Sequence, residues 1–494
     1  MREVVLTVVV RSFLVAASPG AETTGRLDDY REFKDQQGRS IQARVVEVTE
    51  EAVTIQRQDG RRFVVGISAF SQADQDYLRG LTKPSKPGTT SDDWPCFRRP
   101  DGSGTSAAKG LPWEWSAAKN VAWKTALPGP GASSPITFGD RIYLTCYTGY
   151  GLDQKQPGDK ANLVRHLICL DRSNGRILWN TGTPSRHAVS SYENFIALHG
   201  FASGSPACDG RRVYCFFGSS GAYAFDLDGR EQWHADVGEK THSYGTGTSV
   251  VLHDNLVIVN ASIEGGSLVA LDKNSGREVW RAEGIEQAWN TPVFVDAGCR
   301  RELVLDTKDS LRGFDPTTGR ELWRCAGSDP PRYLCPSPIV HDGIVYAAHG
   351  YFGPLSAVRP GGSGDVTDSH RLWVRPKVGS NVPSPVFHDG HIFSVDSDKG
   401  IFSCVDAASG ELIFREHIQP SPDRIYASPL VADGKIYFVS REQGTYVLAA
   451  SPKFELLAHN VIEDDDSIFN GSLAVSRGQL LLRSDKFLYC IGVK

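Results

Sequence analysis

Leu268-Val-Ala-Leu-Asp-Lys-Asn-Ser-Gly-Arg-Glu-Val-Trp280 reads as a strand ending in Asp272, a turn ending in Gly276 and a strand carrying Trp280. An Asp that bonds local backbone and a Gly free to take positive φ are what such a turn needs. The same turn recurs at Asp171 to Gly175, Asp315 to Gly319 and Asp406 to Gly410. Each copy is preceded by a hairpin, as in Ser428-Pro-Leu-Val-Ala-Asp-Gly434 followed by Lys435-Ile-Tyr-Phe-Val439. The first strands begin near Ser134, Ser205, Ser249, Thr291, Ser337, Ser384, Ser428 and Ser472, at spacings of 71, 44, 42, 46, 47, 44 and 44. A period of about 44 residues is one four-stranded propeller blade, and eight starts predict an eight-bladed β-propeller over 94–494. The long first interval holds an insertion.

Trp179, Trp233, Trp280, Trp323 and Trp373 fall at one place in five copies, and Phe414 takes that place in a sixth. Large aromatics at blade spacing predict core residues that lock one blade to the next rather than a ladder for ligand stacking. The last copy stops before its Trp strand, and the missing strand is expected at the other end, Val121-Ala-Trp-Lys-Thr-Ala-Leu127. Closure of this kind removes an exposed sheet edge.

The repeated pattern Ala/Val-x-Asp-x-x-x-Gly-x-x-x-Trp resembles the pyrroloquinoline-quinone repeat family from about 120 to 494. The lead-in Trp94-Pro-Cys-Phe-Arg-Arg-Pro-Asp-Gly-Ser-Gly104, with Leu111-Pro-Trp-Glu-Trp115, is similar to the segment before the propeller in many such bacterial proteins. The resemblance implies one of two activities. Some members are quinone-dependent alcohol or sugar dehydrogenases; others are non-enzymatic scaffolds, including one used in outer-membrane assembly.

Residues 26–81 are expected to form a separate small Src-homology-type β-barrel. Ile41-Gln-Ala-Arg-Val-Val-Glu-Val48, Ala52-Val-Thr-Ile-Gln56 and Phe63-Val-Val65 alternate as strands, with Asp59-Gly60 as a hairpin turn. Ser71-Gln-Ala-Asp74 reads as a helix N-cap. Asp35 to Gly38, Asp59-Gly60 and Ser71-x-x-Asp74-x-x-Tyr77-Leu78 together resemble the Sla-one homology domain. That resemblance implies protein binding. Residues 82–93 read as a polar linker rich in Pro, Gly and Ser. At the start of the chain, Val4–Val10 and the small residues around Ala17 and Ser18 predict a signal peptide over 1–21. The protein is therefore expected to be exported, to the periplasm or beyond, as a monomer without a transmembrane segment. The formal net charge of −5, with no basic stripe, argues against nucleic acid as a partner.

Metal and catalytic signatures are weak. His253-Asp254, His341-Asp342 and His388-Asp389 resemble ligand pairs, but each falls in the first hairpin turn of a different blade, so they should not converge on one ion. No metal site is expected there. Most of the ten cysteines sit in apolar strand patterns and read as small buried hydrophobes. There is no Cys-Cys pair, no Cys-x-x-Cys-His, no Gly-x-Ser-x-Gly and no phosphate loop. No cofactor is expected; pyrroloquinoline quinone with calcium belongs to the rival reading.

In a propeller, the entry loops and the loops between second and third strands share the face where ligands bind. The insertions Tyr147–His166 and Pro184–Gly200 both fall there. The entry loops supply His199, His242, Tyr244, Trp289, Asn290, Tyr333, Asn381, Arg424, Tyr426 and Asn470, aromatic surfaces with a few polar groups. These are the expected ligand-binding residues; no catalytic residue is assigned. The function expected is a binding or scaffold propeller that engages a protein, small-molecule or carbohydrate ligand at the channel mouth. The alternative is a quinone-dependent dehydrogenase acting on sugars or alcohols.

Overall fold

A computed structural model describes residues 30–48, 52–82, 93–298, 300–327, 334–350 and 353–492. The signal peptide expected over 1–21 lies outside the described residues. The chain divides into two compact units, 1–88 and 89–494. In the first, Arg31–Lys34, Ser40–Val48, Ala52–Arg57 and Arg62–Gly66 form an antiparallel meander. Strand alternation places Phe33, Ile41, Val53 and Ile55 in one core with Phe70 and Leu78. The helix Gln72–Thr82 follows; it runs one residue into the stretch read as linker. Ser71 Oγ accepts from the Asp74 N–H at 3.3 Å and donates to Asp74 Oδ2 at 2.9 Å. The Lys34 N–H also reaches Asp74 Oδ2, at 2.8 Å, so this carboxylate ties the first strand to the helix start.

The second unit is a β-propeller. Among the described residues it holds eight sheets with a four-stranded antiparallel core, one per sequence copy. The third shows the plan: Val251–His253, Leu256–Ala261, Ser267–Asp272 and Glu278–Glu283. In the eighth, Ala474–Ser476, Gln479–Arg483 and Phe487–Ile491 are completed by Val121–Ala126, with Trp123 opposite Cys490.

The repeated Trp and Gly explain each other. The Trp233 indole lies against Gly276 of the next sheet, where a Cβ would come within 2.7 Å of the ring. Trp179 packs on Gly229, Trp280 on Gly319, Trp373 on Gly410 and Trp123 on Gly175 in the same way. Four of these indoles also donate across the seam, Trp179 to Leu227 O, Trp233 to Lys273 O, Trp280 to Pro316 O and Trp373 to Ala407 O, at 2.8–3.1 Å. Trp323 departs from the rule. The fifth sheet has no such turn, and Trp323 Nε1 donates instead to the buried Glu302 at 2.6 Å.

A second set of bonds runs around the inner edge. The N–H of Ser134 donates to Ser205 Oγ, that of Ser205 to Ser249 Oγ, and so on through Thr291, Ser337, Ser384, Ser428 and Ser472, whose N–H returns to Ser134 Oγ. All eight distances lie between 2.8 and 3.1 Å. The hydroxyls at the eight strand starts thus close a continuous ring.

The nine described cysteines are free thiols, seven of them buried. His253, His341 and His388 lie in the hairpin turns of three different sheets. Because the two units are compact separately, a chain lacking residues 1–90 is expected to fold with the melting temperature of the full protein's propeller transition. Loss of that transition on truncation would show that the propeller depends on the first unit.

Candidate functional site

The lead-in runs beneath the hydroxyl ring. Arg98 is buried, and its guanidinium donates to Pro385 O at 2.6 Å and Pro429 O at 3.3 Å. Each of those prolines follows a ring serine. Burial pulls the Arg98 pKa down to about 9. Gly104 must be glycine here, since a Cβ would sit 2.8 Å from that guanidinium at a φ of +66°. The adjacent Phe97 lines two spaces. One is a cleft with His253 and Arg301 near the hairpin-turn face; the other is the central cavity above the ring. Phe97 therefore closes the base of the channel and turns it into a well.

The well has a volume of about 720 Å³. Its lining includes all eight ring hydroxyl residues, and its upper wall comes from the entry loops. A strap from the 184–200 insertion crosses the mouth. The Leu198 carbonyl accepts from Arg441 Nη1 at 2.6 Å and from Asn470 Nδ2 at 2.8 Å, on the seventh and eighth sheets. The other side of the strap meets the third sheet. His199 Nε2 bonds Tyr244 O at 2.9 Å, and Phe195 meets the Tyr244 ring edge-on at 4.4 Å. Burial lowers the His199 pKa. With a carbonyl at Nε2, the neutral ring carries its proton there, and Nδ1 accepts from Ser203 Oγ at 2.6 Å.

Seven of the ten residues expected from sequence line this well: His199, Tyr244, Trp289, Asn381, Arg424, Tyr426 and Asn470. Two have structural work. Asn290 is buried, and its amide donates to Asp306 O at 2.6 Å and Leu334 O at 3.3 Å. His242 lies outside the lining and packs edge-on against Trp289 at 5.1 Å. Tyr333 lies outside the described residues. Trp289 itself is 5% exposed and donates Nε1–H to Gly245 O at 2.8 Å, so it is wall rather than a free stacking surface. Arg424 is exposed, with no hydrogen bond or ion pair from its side chain among the described residues. The Arg441 guanidinium lies 4.8 Å from the Tyr426 ring centre, a cation–π contact that stiffens that side.

Sequence reading missed Phe97, Phe195, Asp398 and Cys335, which also line the well. It took the ring serines as strand starts and not as lining. It also missed a set with the arrangement of a hydrolase triad. His349 Nδ1 lies 3.1 Å from Asp306 Oδ1, and its Nε2 lies 2.7 Å from Ser356 Oγ. All three are at most 2% exposed, so the set is a buried lock between the fourth and fifth sheets.

A buried acid lies near the strap. Glu264 is 2% exposed, takes the Thr246 hydroxyl on Oε1 and leaves Oε2 without a partner. Burial raises its pKa to about 7. Arg165 nearby donates to Phe201 O, Ser185 Oγ and Ser220 Oγ at 2.9–3.1 Å. Among the described residues no group of three or more His, Cys, Asp or Glu is placed to hold a metal.

A family profile described as outer membrane protein assembly factor BamB matches residues 110–241, 160–283 and 222–453. The chain belongs to this family. Solved structures similar to this BamB-family chain include BamB from Moraxella catarrhalis, 15% identical, covering 75% of this chain and 96% of that one with a TM-score of 0.52. The quinohemoprotein alcohol dehydrogenase from Comamonas testosteroni is 12% identical and covers 85% and 82%, with a TM-score of 0.55. The quinohemoprotein alcohol dehydrogenase ADHIIG from Pseudomonas putida HK5 is 11% identical and covers 82% and 81%, with a TM-score of 0.56. A search of curated protein sequences gives no match. Among the described residues of this BamB-family protein, no helix is long and apolar enough to cross a membrane.

Proposed function

We infer that this BamB-family protein is an exported, eight-bladed binding or scaffold propeller that engages its ligand at the mouth of the central well. One observation carries the reading: a well lined from every inner edge, with the exposed Arg424 beside Tyr426. A cation and an aromatic surface at the rim of a concave, mostly apolar site suit a small ligand or a protruding segment of a partner. The first unit, read as a small barrel resembling the Sla-one homology domain, would add a second protein-binding surface.

The dehydrogenase alternative requires calcium held by carboxylate and amide oxygens next to a bound quinone. Asp398 is the one carboxylate in the described lining; Asn470 gives its Nδ2 to Leu198 O and keeps Oδ1 without a partner, so a divalent cation would meet one negative charge only. This donor set does not fit the pair, and no step is derived through it.

Arg424→Ala is expected to weaken a ligand held at the mouth by about tenfold or more, the scale of one charge-assisted hydrogen bond. The double change of His341 and His388 to alanine, in hairpin turns, is expected to leave affinity unchanged. The reverse pattern in a binding titration would place the site on the other face. Addition of pyrroloquinoline quinone with calcium is expected to give no bound chromophore and no dye reduction; redox turnover would overturn the scaffold reading.

A further inference from the structure

The hydroxyl ring holds more than the fold together. Each of its eight oxygens accepts one backbone N–H, and all eight residues line the well. Among the described residues none of these hydroxyls gives its own proton to a protein acceptor. A hydroxyl that has accepted one bond retains a proton and a lone pair. The base of the well is therefore a band of uncharged hydroxyl residues repeated around the axis, each buried to 2–8% exposure and each with a proton left to donate. Beneath it lies the partly exposed Phe97, held there by the anchoring of its neighbour Arg98.

A matching ligand is uncharged, has donor–acceptor groups around its whole rim, and presents an apolar face to the phenyl ring. A peptide segment offers such groups along a line, with side chains at alternate positions, and leaves most of a circular band unused. A pyranose has hydroxyls around its equator and C–H groups on its faces. We propose that the well binds a neutral hexose-type sugar, lying across the channel axis with one face toward Phe97 and its hydroxyls toward the serine ring. Because Phe97 blocks the far end, the unit bound is a free sugar or the end of a saccharide chain, with the rest emerging past Arg424 and Asp398. The proposal rests on the reading of the well as a ligand site and specifies its ligand class.

The test is calorimetric titration of the full chain with D-glucose, D-galactose, N-acetylglucosamine and their disaccharides. At least one is expected to bind. Phe97→Ala and Ser384→Ala should each weaken it about tenfold, the scale of one stacking contact or one hydrogen bond. Ser384→Thr should restore binding, since Thr291 already serves in the ring, and His341→Ala should leave it intact. Should Ser384→Ala fail to fold, Phe97→Ala still decides. Absence of heat with every sugar overturns the proposal. So does binding that is indifferent to both Phe97→Ala and Ser384→Ala, which would place the sugar elsewhere. If no sugar binds while a peptide does, and that peptide is lost on Arg424→Ala, the ligand class is wrong and the ligand site stands.

Discussion

Deletion of residues 116–128 is expected to abolish the folded propeller. Val121–Ala126 is the fourth strand of the eighth sheet and pairs along the whole length of Phe487–Ile491. It also makes the seam with the first sheet. The Trp123 ring lies on Gly175, and Thr125 Oγ1 donates to Gly175 O at 2.8 Å, as Thr181 does to Gly229 at the next seam. Val121, Ala122, Trp123 and Leu127 pack against the core shared by the first, seventh and eighth sheets. Truncating a fully buried Trp costs about 3–5 kcal/mol and the partly buried Trp123 less, against a total stability of about 5–15 kcal/mol for a domain. The deletion removes that contact, three further apolar contacts and a full ladder of hydrogen bonds. It also exposes a sheet edge that invites aggregation. The variant should be insoluble or melt without cooperativity. Trp123→Ala alone should fold with a lower melting temperature. A deletion variant that melts like the full chain would show that the ring closes without this strand.

What was legible in the sequence is whatever the repeat makes periodic. Eight small hydroxyl residues at the strand starts mark the sheets because each must bond its neighbour around one ring. Trp and Gly recur because a flat indole and a missing Cβ meet at each seam. Where a feature occurs once, the period is silent. Trp323 looked like the other tryptophans, yet it turns to Glu302 because the next sheet lacks the glycine turn. Asn290 and Trp289 carried the right chemistry at the right loop. Their side chains are spent on backbone carbonyls, a partnership between residues far apart in sequence. Phe97 gave no signal beyond membership of the lead-in, since only the path of Arg98 under Pro385 and Pro429 brings it to the base of the well. The strap shows the same limit: Leu198 reaches Arg441 and Asn470 across the mouth, and nothing local in those segments announces it.

Glu264 yields the largest effect expected of a single charge. Its carboxyl is buried, one oxygen has no partner, and burial raises its pKa from 4.5 to about 7. The folded protein therefore keeps a proton on Glu264 between those values, while the unfolded chain releases it. Stability from this group is complete below pH 4.5, falls as the pH rises toward 7 and is level above. The ionised form above pH 7 costs about 3 kcal/mol relative to the protonated one, from 1.36 kcal/mol per pKa unit. Glu264→Gln keeps the shape and accepts the Thr246 hydroxyl without titrating. Denaturant unfolding at pH 5 and pH 8 should show the variant close to wild type at the lower pH and more stable by about 3 kcal/mol at the higher. Asp485, also raised by burial, steepens both curves alike, so the difference between the proteins isolates Glu264. Parallel curves would mean that Glu264 ionises in the folded state as readily as in water. Its carboxylate would then have to be reached by solvent or by the Arg165 guanidinium. Both the unpartnered Oε2 and the commitment of Arg165 to Phe201, Ser185 and Ser220 argue against that.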